Sequence, residues 1–189
     1  MSKRVLHLRG SSAFLGAEHV VLELARQSHR YGFEAVIGIP LESDQPEPEL
    51  VRFAEQEDIR VQRLPCKGRF DAGLARRLQR CVRQNAIDLI HSHGYKEDFY
   101  ALLARSGVPL VATNHLWKRS TWALRSYAKI DGYVLRHFDH TVAVSQPIYQ
   151  EMLAAGIAPE KLSKIPNGID PNRFSRARKP NAIEKHGWD

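Results

Sequence analysis

Short apolar runs alternate with segments of helical period along this chain, and that alternation restricts the fold more than any other feature. Strand-like runs fall at residues 4–9, 34–39, 60–64, 87–93, 108–113, 140–144 and 162–166. Helical segments lie between them at 17–31, 49–57, 71–86, 96–105, 120–138 and 146–155. In the first helix, Ala17, Val20, Val21, Leu24 and Ala25 recur at i, i+3, i+4, i+7 and i+8, which lines one face. Gly32 stands where a left-handed cap is expected. The run 34–39 is almost wholly apolar, as a parallel strand covered on both faces must be, and Pro40 is expected to end it. In the segment 96–105, Phe99, Leu102 and Leu103 are expected inward. Strands and helices alternating over short connections predict an α/β fold, a Rossmann-like parallel sheet with helices on both faces.

With 189 residues, 43% of them hydrophobic, the chain is long enough to bury a full core. Its apolar runs are too short to span a bilayer. The start, Met1-Ser2-Lys3-Arg4-Val5-Leu6, leads straight into a strand without a signal-peptide core, so a cytoplasmic location is expected. The two cysteines, Cys66 and Cys81, have no C-x-x-C spacing, which suits a reducing compartment and disfavours structural zinc. A net charge of +7 favours anionic partners. Nucleic acid is the least favoured of these, because the aromatics form neither an RNP nor a zinc-finger pattern.

Ligands of parallel sheets sit outside the carboxyl ends of the strands, so the candidate chemistry lies there. The first loop, Gly10 to Glu18, leads into a helix N-terminus that can hold a phosphate or sugar hydroxyl near Gly16, or can simply be a tight turn. It lacks the G-x-G-x-x-G spacing of a dinucleotide site. The fourth strand ends His91-Ser92-His93, with both histidines on one face. A metal centre wants three or four ligands and no third accompanies this pair, so no metal is expected; one histidine packs in the sheet and His93 faces the cleft. The fifth strand ends Thr113-Asn114-His115, with Lys118 and Arg119 just beyond; His115 reads either as a group acting on hydroxyls or phosphates or as a hydrogen-bonded structural histidine. Ser145 reads as a helix cap, and no nucleophile elbow occurs. Glu47/Glu55 and Glu49/Glu57 lie in an acidic segment and read as a solvated face.

Several of these segments resemble the N-terminal domain of GT-B glycosyltransferases of family 4. Gly16-Ala17-Glu18 resembles the family's Gly-Gly-x-Glu loop, with Ala17 in place of the second glycine. His91-Ser92-His93 and Thr113-Asn114-His115 resemble its His-x-His and Thr-x-His segments. The run from Gly156 through Ile165-Pro166-Asn167-Gly168-Ile169-Asp170 to Phe174 resembles the junction where the first domain hands over to the second. The resemblance implies one half of a GT-B fold: an acceptor-binding domain at 1–170, then a linker at 171–189 leading to a C-terminal donor domain not contained in the chain, so that the chain alone is expected to be inactive. It further implies a retaining, hexosyltransferase-type transfer from a nucleotide-sugar, the donor substrate, with no cofactor, to a glycan or lipid-linked acceptor in cell-envelope polysaccharide synthesis. His115 is implied at the reaction centre, Gly16 and Ala17 on the donor phosphate, and His93, Lys118 and Arg119 on the acceptor side. A sugar-nucleotide epimerase of the same fold and a non-catalytic anionic-glycan or lipid-binding module are the alternatives.

Two basic faces bear on the acceptor. Arg76, Arg77, Arg80 and Arg83 lie opposite Leu74, Leu78, Cys81 and Val82, on an arc suited either to anionic head groups or to plain solvation. From Trp117 to Arg136, Trp117, Trp122 and Tyr133 interleave with Lys118, Arg125 and Lys129, as at a membrane interface, a sugar-stacking wall or a packed core. A peripheral position on the inner face of the membrane is therefore a further expectation.

Overall fold

A computed structural model describes residues 2–10, 13–68, 70–104, 107–117 and 122–168, with side chains left out at 123–125. Seven parallel strands form one sheet, β1 (Lys3–Leu8), β2 (Phe33–Glu42), β3 (Arg60–Cys66), β4 (Leu89–Ser92), β5 (Leu110–Asn114), β6 (His140–Ala143) and β7 (Leu162–Lys164), in the order β3-β2-β1-β4-β5-β6-β7. The helices are α1 (Gly16–Gln27), α2 (Glu49–Gln56), α3 (Ala72–Gln84), α4 (Tyr95–Ala104), α5 (Trp122–Leu135) and α6 (Gln146–Ala154). Strand order reverses between β1 and β4, the point at which such sheets open a crevice.

Each face of the sheet is covered. Ile37 and Ile39 pack with Val21, Leu22 and Ala25 of α1 and with Leu50, Val51 and Ala54 of α2. Their neighbours in the β2 alternation point the other way, where Val36 joins Leu6, Leu8, Leu74, Leu78 and Phe138 in the larger core. Both cysteines are free and buried.

Pro40 does not end β2, which runs on to Glu42. The Gly38 carbonyl accepts from Arg9 N on the β1 side, and Pro40, two residues on, faces that side too. Since β1 has already ended at Leu8, the missing N–H of Pro40 costs no ladder bond. The first helix is also shorter than its apolar period suggests, stopping at Gln27 before a 3-10 turn over Ser28–Tyr31.

In α4 the expected inward face is replaced by another. Glu97, Asp98, Tyr100, Ala101 and Ala104 are buried, whereas Phe99 and Leu102 are half-buried and Leu103 is 54% exposed. In α3 the apolar side is as expected, but the arginine arc is not uniform. Arg76, Arg80 and Arg83 are exposed, while Arg77 folds back onto Asp71, the residue that caps the helix by accepting from Gly73 N at 2.8 Å. Arg63 gathers Glu47 and Glu55 at 2.6 and 2.8 Å, so that acidic pair is tied to β3.

The returns from helix to strand share a device. Gly32, Asp58, Ala86, Gly107 and Gly156, which follow α1, α2, α3, α4 and α6, all have left-handed backbone, with φ of 78°, 56°, 48°, 80° and 84°.

Candidate functional site

The register of β1 against β4 pairs His7 with His91 across the point where strand order reverses. With His93 and His115 this places four imidazoles side by side at the carboxyl edge. Ring centroids are 5.2 Å apart for His7–His91, 4.2 Å for His91–His93, 5.5 Å for His7–His93 and 5.6 Å for His93–His115. Three contacts organise them: His7 Nδ1 to His93 Nε2 at 3.2 Å, His93 Nδ1 to His115 Nε2 at 3.3 Å, and His91 Nε2 to Thr113 Oγ1 at 2.8 Å.

His7 and His93 are fully buried, so His93 stands behind His115 rather than in an open cleft; His115 itself is half-buried. Burial pushes His7 down to about 4 and His91 and His93 well below the usual histidine range. Burial and then the Arg9 charge bring His115 to about 4. All four rings are neutral at physiological pH.

His7, His91 and His93 also offer one ligand atom each within 4.8 Å of one another, the third ligand that the His91–His93 spacing alone does not supply. In this arrangement His93 spends both ring nitrogens, one on His7 and one on His115, so a metal would have to displace one of these contacts.

A charged brace stands against the rings. Arg9 Nε donates to Glu18 Oε1 at 2.7 Å, and the same guanidinium donates to the His93 carbonyl. Glu18 is in the first turn of α1, where its other oxygen accepts from Leu15 N at 2.9 Å. Burial pushes the Glu18 carboxyl up, but the Arg9 charge and these hydrogen bonds together pull it below the ordinary carboxylate value. Glu97 reaches back from α4 to accept from Gly10 N at 3.0 Å. A Cβ on Gly94 would lie 2.6 Å from Glu97 Oε2, and one on Gly10 3.0 Å from Oε1, so both positions exclude a side chain while Glu97 stays in place. At Gly16, by contrast, a Cβ would meet nothing within 4 Å, so the space beside this first turn of α1 is open. Arg9 joins Glu18 to the His93 carbonyl and His93 meets His115, which puts the start of α1 and the end of β5 at one locus.

Beside this lies an acid pair. Ser92 Oγ donates to Asp98, and Trp117 Nε1 donates to Asp131 at 2.7 Å. Asp98 and Asp131 influence each other electrostatically, and burial raises both, Asp131 to about 6. Trp117 is thus a core residue anchored to α5, while Trp122 and Tyr133 are 82% and 61% exposed. Lys118 and Arg119 lie outside the described residues.

Sequence reasoning located His93, His115 and Gly16 but missed His7, Arg9 and Glu97, as well as the part Glu18 plays. The available signal was polar residues where the period asks for apolar ones, at Glu97 on α4 and His7 on β1.

The sequence model of Glycosyltransferase Family 4 matches residues 15–173. No curated protein matches the chain in sequence. Among solved structures, HepE of Anabaena in complex with UDP and glucose matches at a TM-score of 0.74 and 21% identity, over 90% of this chain and 46% of that one. The lipopolysaccharide outer core galactosyltransferase WaaB matches at 0.66 and 15%, over 89% and 46%. A UDP-N-acetylglucosamine 2-epimerase from Listeria monocytogenes, described as putative, matches at 0.60 and 14%, over 86% and 44%. The chain therefore spans about half the length of the structures it matches. No helix among the described residues is long and apolar enough to cross a membrane.

Proposed function

Since the chain belongs to Glycosyltransferase Family 4, we propose that it forms the acceptor-side half of a GT-B enzyme that moves a hexose from a nucleotide-sugar to a glycan or lipid-linked hydroxyl, with retention at the anomeric carbon. The observation that carries this reading is the convergence of His115, the Arg9–Glu18 brace and the open first turn of α1 on one edge of the sheet. The N–H groups of a helix's first turn and its dipole favour a diphosphate, which supports the reading that Gly16 and Ala17 meet the donor phosphate. His115, neutral at physiological pH, serves as a hydrogen-bonding group on the reacting sugar or its phosphate, not as a charged acid. Lys118 and Arg119 follow His115 in sequence and belong to the acceptor side, whereas buried His93 acts through His115. The bond to the leaving diphosphate breaks as the acceptor oxygen joins the same carbon and gives its hydroxyl proton to the departing phosphate oxygen, and a second domain completes the cleft.

Two tests apply. The whole enzyme is offered UDP-, GDP- and ADP-sugars with a bacterial lipid extract; UDP-glucose is tried first, because HepE holds UDP and glucose. Nucleotide release that depends on the extract is expected. His115→Ala should then lower turnover at least a hundredfold with the fold intact, on the scale of lost transition-state contacts; near-normal turnover removes the assignment. The epimerase fold favours one rival, in which UDP-N-acetylglucosamine is converted without any acceptor. Extract-independent epimer formation would decide for it.

A further inference from the structure

The two ring-to-ring contacts link three imidazoles in a row, His7 Nδ1 to His93 Nε2 and His93 Nδ1 to His115 Nε2. A neutral imidazole has one N–H and one lone pair, so it donates from one nitrogen only and accepts at the other. If His93 carries its proton on Nδ1, it donates to His115 and must accept from His7. His7 and His115 are then Nδ1–H as well. If His93 carries it on Nε2, both contacts reverse and all three rings become Nε2–H. No mixed assignment keeps both hydrogen bonds.

The outer atoms of the row decide between the two. Among the described residues, His7 Nε2 and His115 Nδ1 are buried atoms without a hydrogen-bond partner. With every proton on Nε2, an N–H is stranded at His7, in the fully buried interior. With every proton on Nδ1, the interior end is only a lone pair, and the unpaired N–H, although itself covered, is on His115, the less deeply buried ring at the edge of the sheet. An orphaned donor is the costlier defect in a protein interior.

We infer that His7 and His93 are positioning residues that hold His115 as an Nδ1–H donor, through a row of like-protonated imidazoles beginning on β1. This rests on the reading of His115 as the residue that meets the reacting sugar or phosphate. Nδ1 is covered in this structure, so its N–H suits an oxygen acceptor that displaces that cover. Arg9, bonded to the His93 carbonyl, opposes a positive charge on the row, so the rings respond by tautomer rather than by protonation. Glu18 faces the same end and is neutralised by Arg9. His91 is outside the row because its Nε2 is engaged by Thr113.

The test is histidine-selective 15N NMR of this chain at neutral pH, in which two-bond couplings identify the protonated nitrogen of each ring. His7, His93 and His115 should all be Nδ1–H; any one of them as predominantly Nε2–H overturns the inference. His7→Asn replaces the donor with an amide N–H and should leave His115 unchanged. His7→Asp, whose carboxylate accepts only, should turn His93 and His115 to Nε2–H; an unchanged His115 in a folded variant also overturns it. If the aspartate variant does not fold, the wild-type assignment decides alone. In the whole enzyme, His7→Asn should retain most turnover and His7→Asp should lose at least tenfold in kcat with KM little changed. Matched tautomers beside normal turnover of His115→Ala would refute the proposed role of His115 while leaving the row intact.

Discussion

Glu18 does two jobs with one carboxylate. One oxygen closes the start of α1 on Leu15 N and the other neutralises Arg9, which in turn holds the His93 carbonyl. Its side chain is almost wholly buried and the Arg9 side chain is 20% exposed. Removing one charge of a buried pair strands the other, at a typical cost of about 3–5 kcal/mol. Glu18→Gln keeps the bond to Leu15 and should destabilise the chain by about 3 kcal/mol in urea unfolding; a loss below about 1 kcal/mol would mean that solvent serves Arg9 instead. His93, His115 and Gly16 could be found from the sequence because each ends a strand or opens a helix. His7 and Arg9 could not, because their roles depend on partners about 84 residues away, His91 through strand register and the His93 carbonyl through a guanidinium.

At the scale of elements, α4 shows how a period can mislead. Hydrophobicity put Phe99, Leu102 and Leu103 inward, yet the helix turns Glu97 and Asp98 to the interior because Gly10 N, Ser92 Oγ and Asp131 are there to meet them. Asp98 on α4 and Asp131 on α5 are buried acids that act on each other electrostatically, and burial favours the protonated form of both. Burial raises Asp131 from near 4 to about 6, so between those values the folded state holds more protons than the unfolded one. The contribution of this group is present at low pH and is lost as pH rises through about 6. Asp131→Asn, which can still accept from Trp117, should therefore gain melting temperature relative to the parent as pH rises from 4.5 to 7.5. An offset that stays constant across that range would count against the retained proton. The strands themselves were legible to within about two residues at either end, except at Pro40, where only the position at which β1 ends explains why β2 continues.

Across the whole molecule, chemistry gathers on the carboxyl edge while charge spreads over α3. Arg77 is committed to Asp71, which leaves Arg76, Arg80 and Arg83 free to meet an anionic surface. Near a membrane each such residue contributes about 1 kcal/mol, so the triple change of these three to Gln should weaken binding to phosphatidylserine vesicles on the order of a hundredfold at low salt. Equal binding by parent and variant would assign α3 to solvent. Alternation and strand ends were enough to read the sheet and its helical covering from the sequence. The acid pair and the row of histidines were not legible there, because both arise only where distant strands and helices converge.

The five left-handed returns from helix to strand lie on the rim opposite the carboxyl ends that carry His115. Three of the five are glycine; Asp58 and Ala86 adopt the same backbone at a steric cost of about 1 kcal/mol each. Ala86→Gly should recover up to about 1 kcal/mol in thermal unfolding and leave turnover of the whole enzyme unaltered. The fold thus separates its tolerance for change: one rim can be hardened residue by residue, leaving the other at liberty to drift toward new ligands.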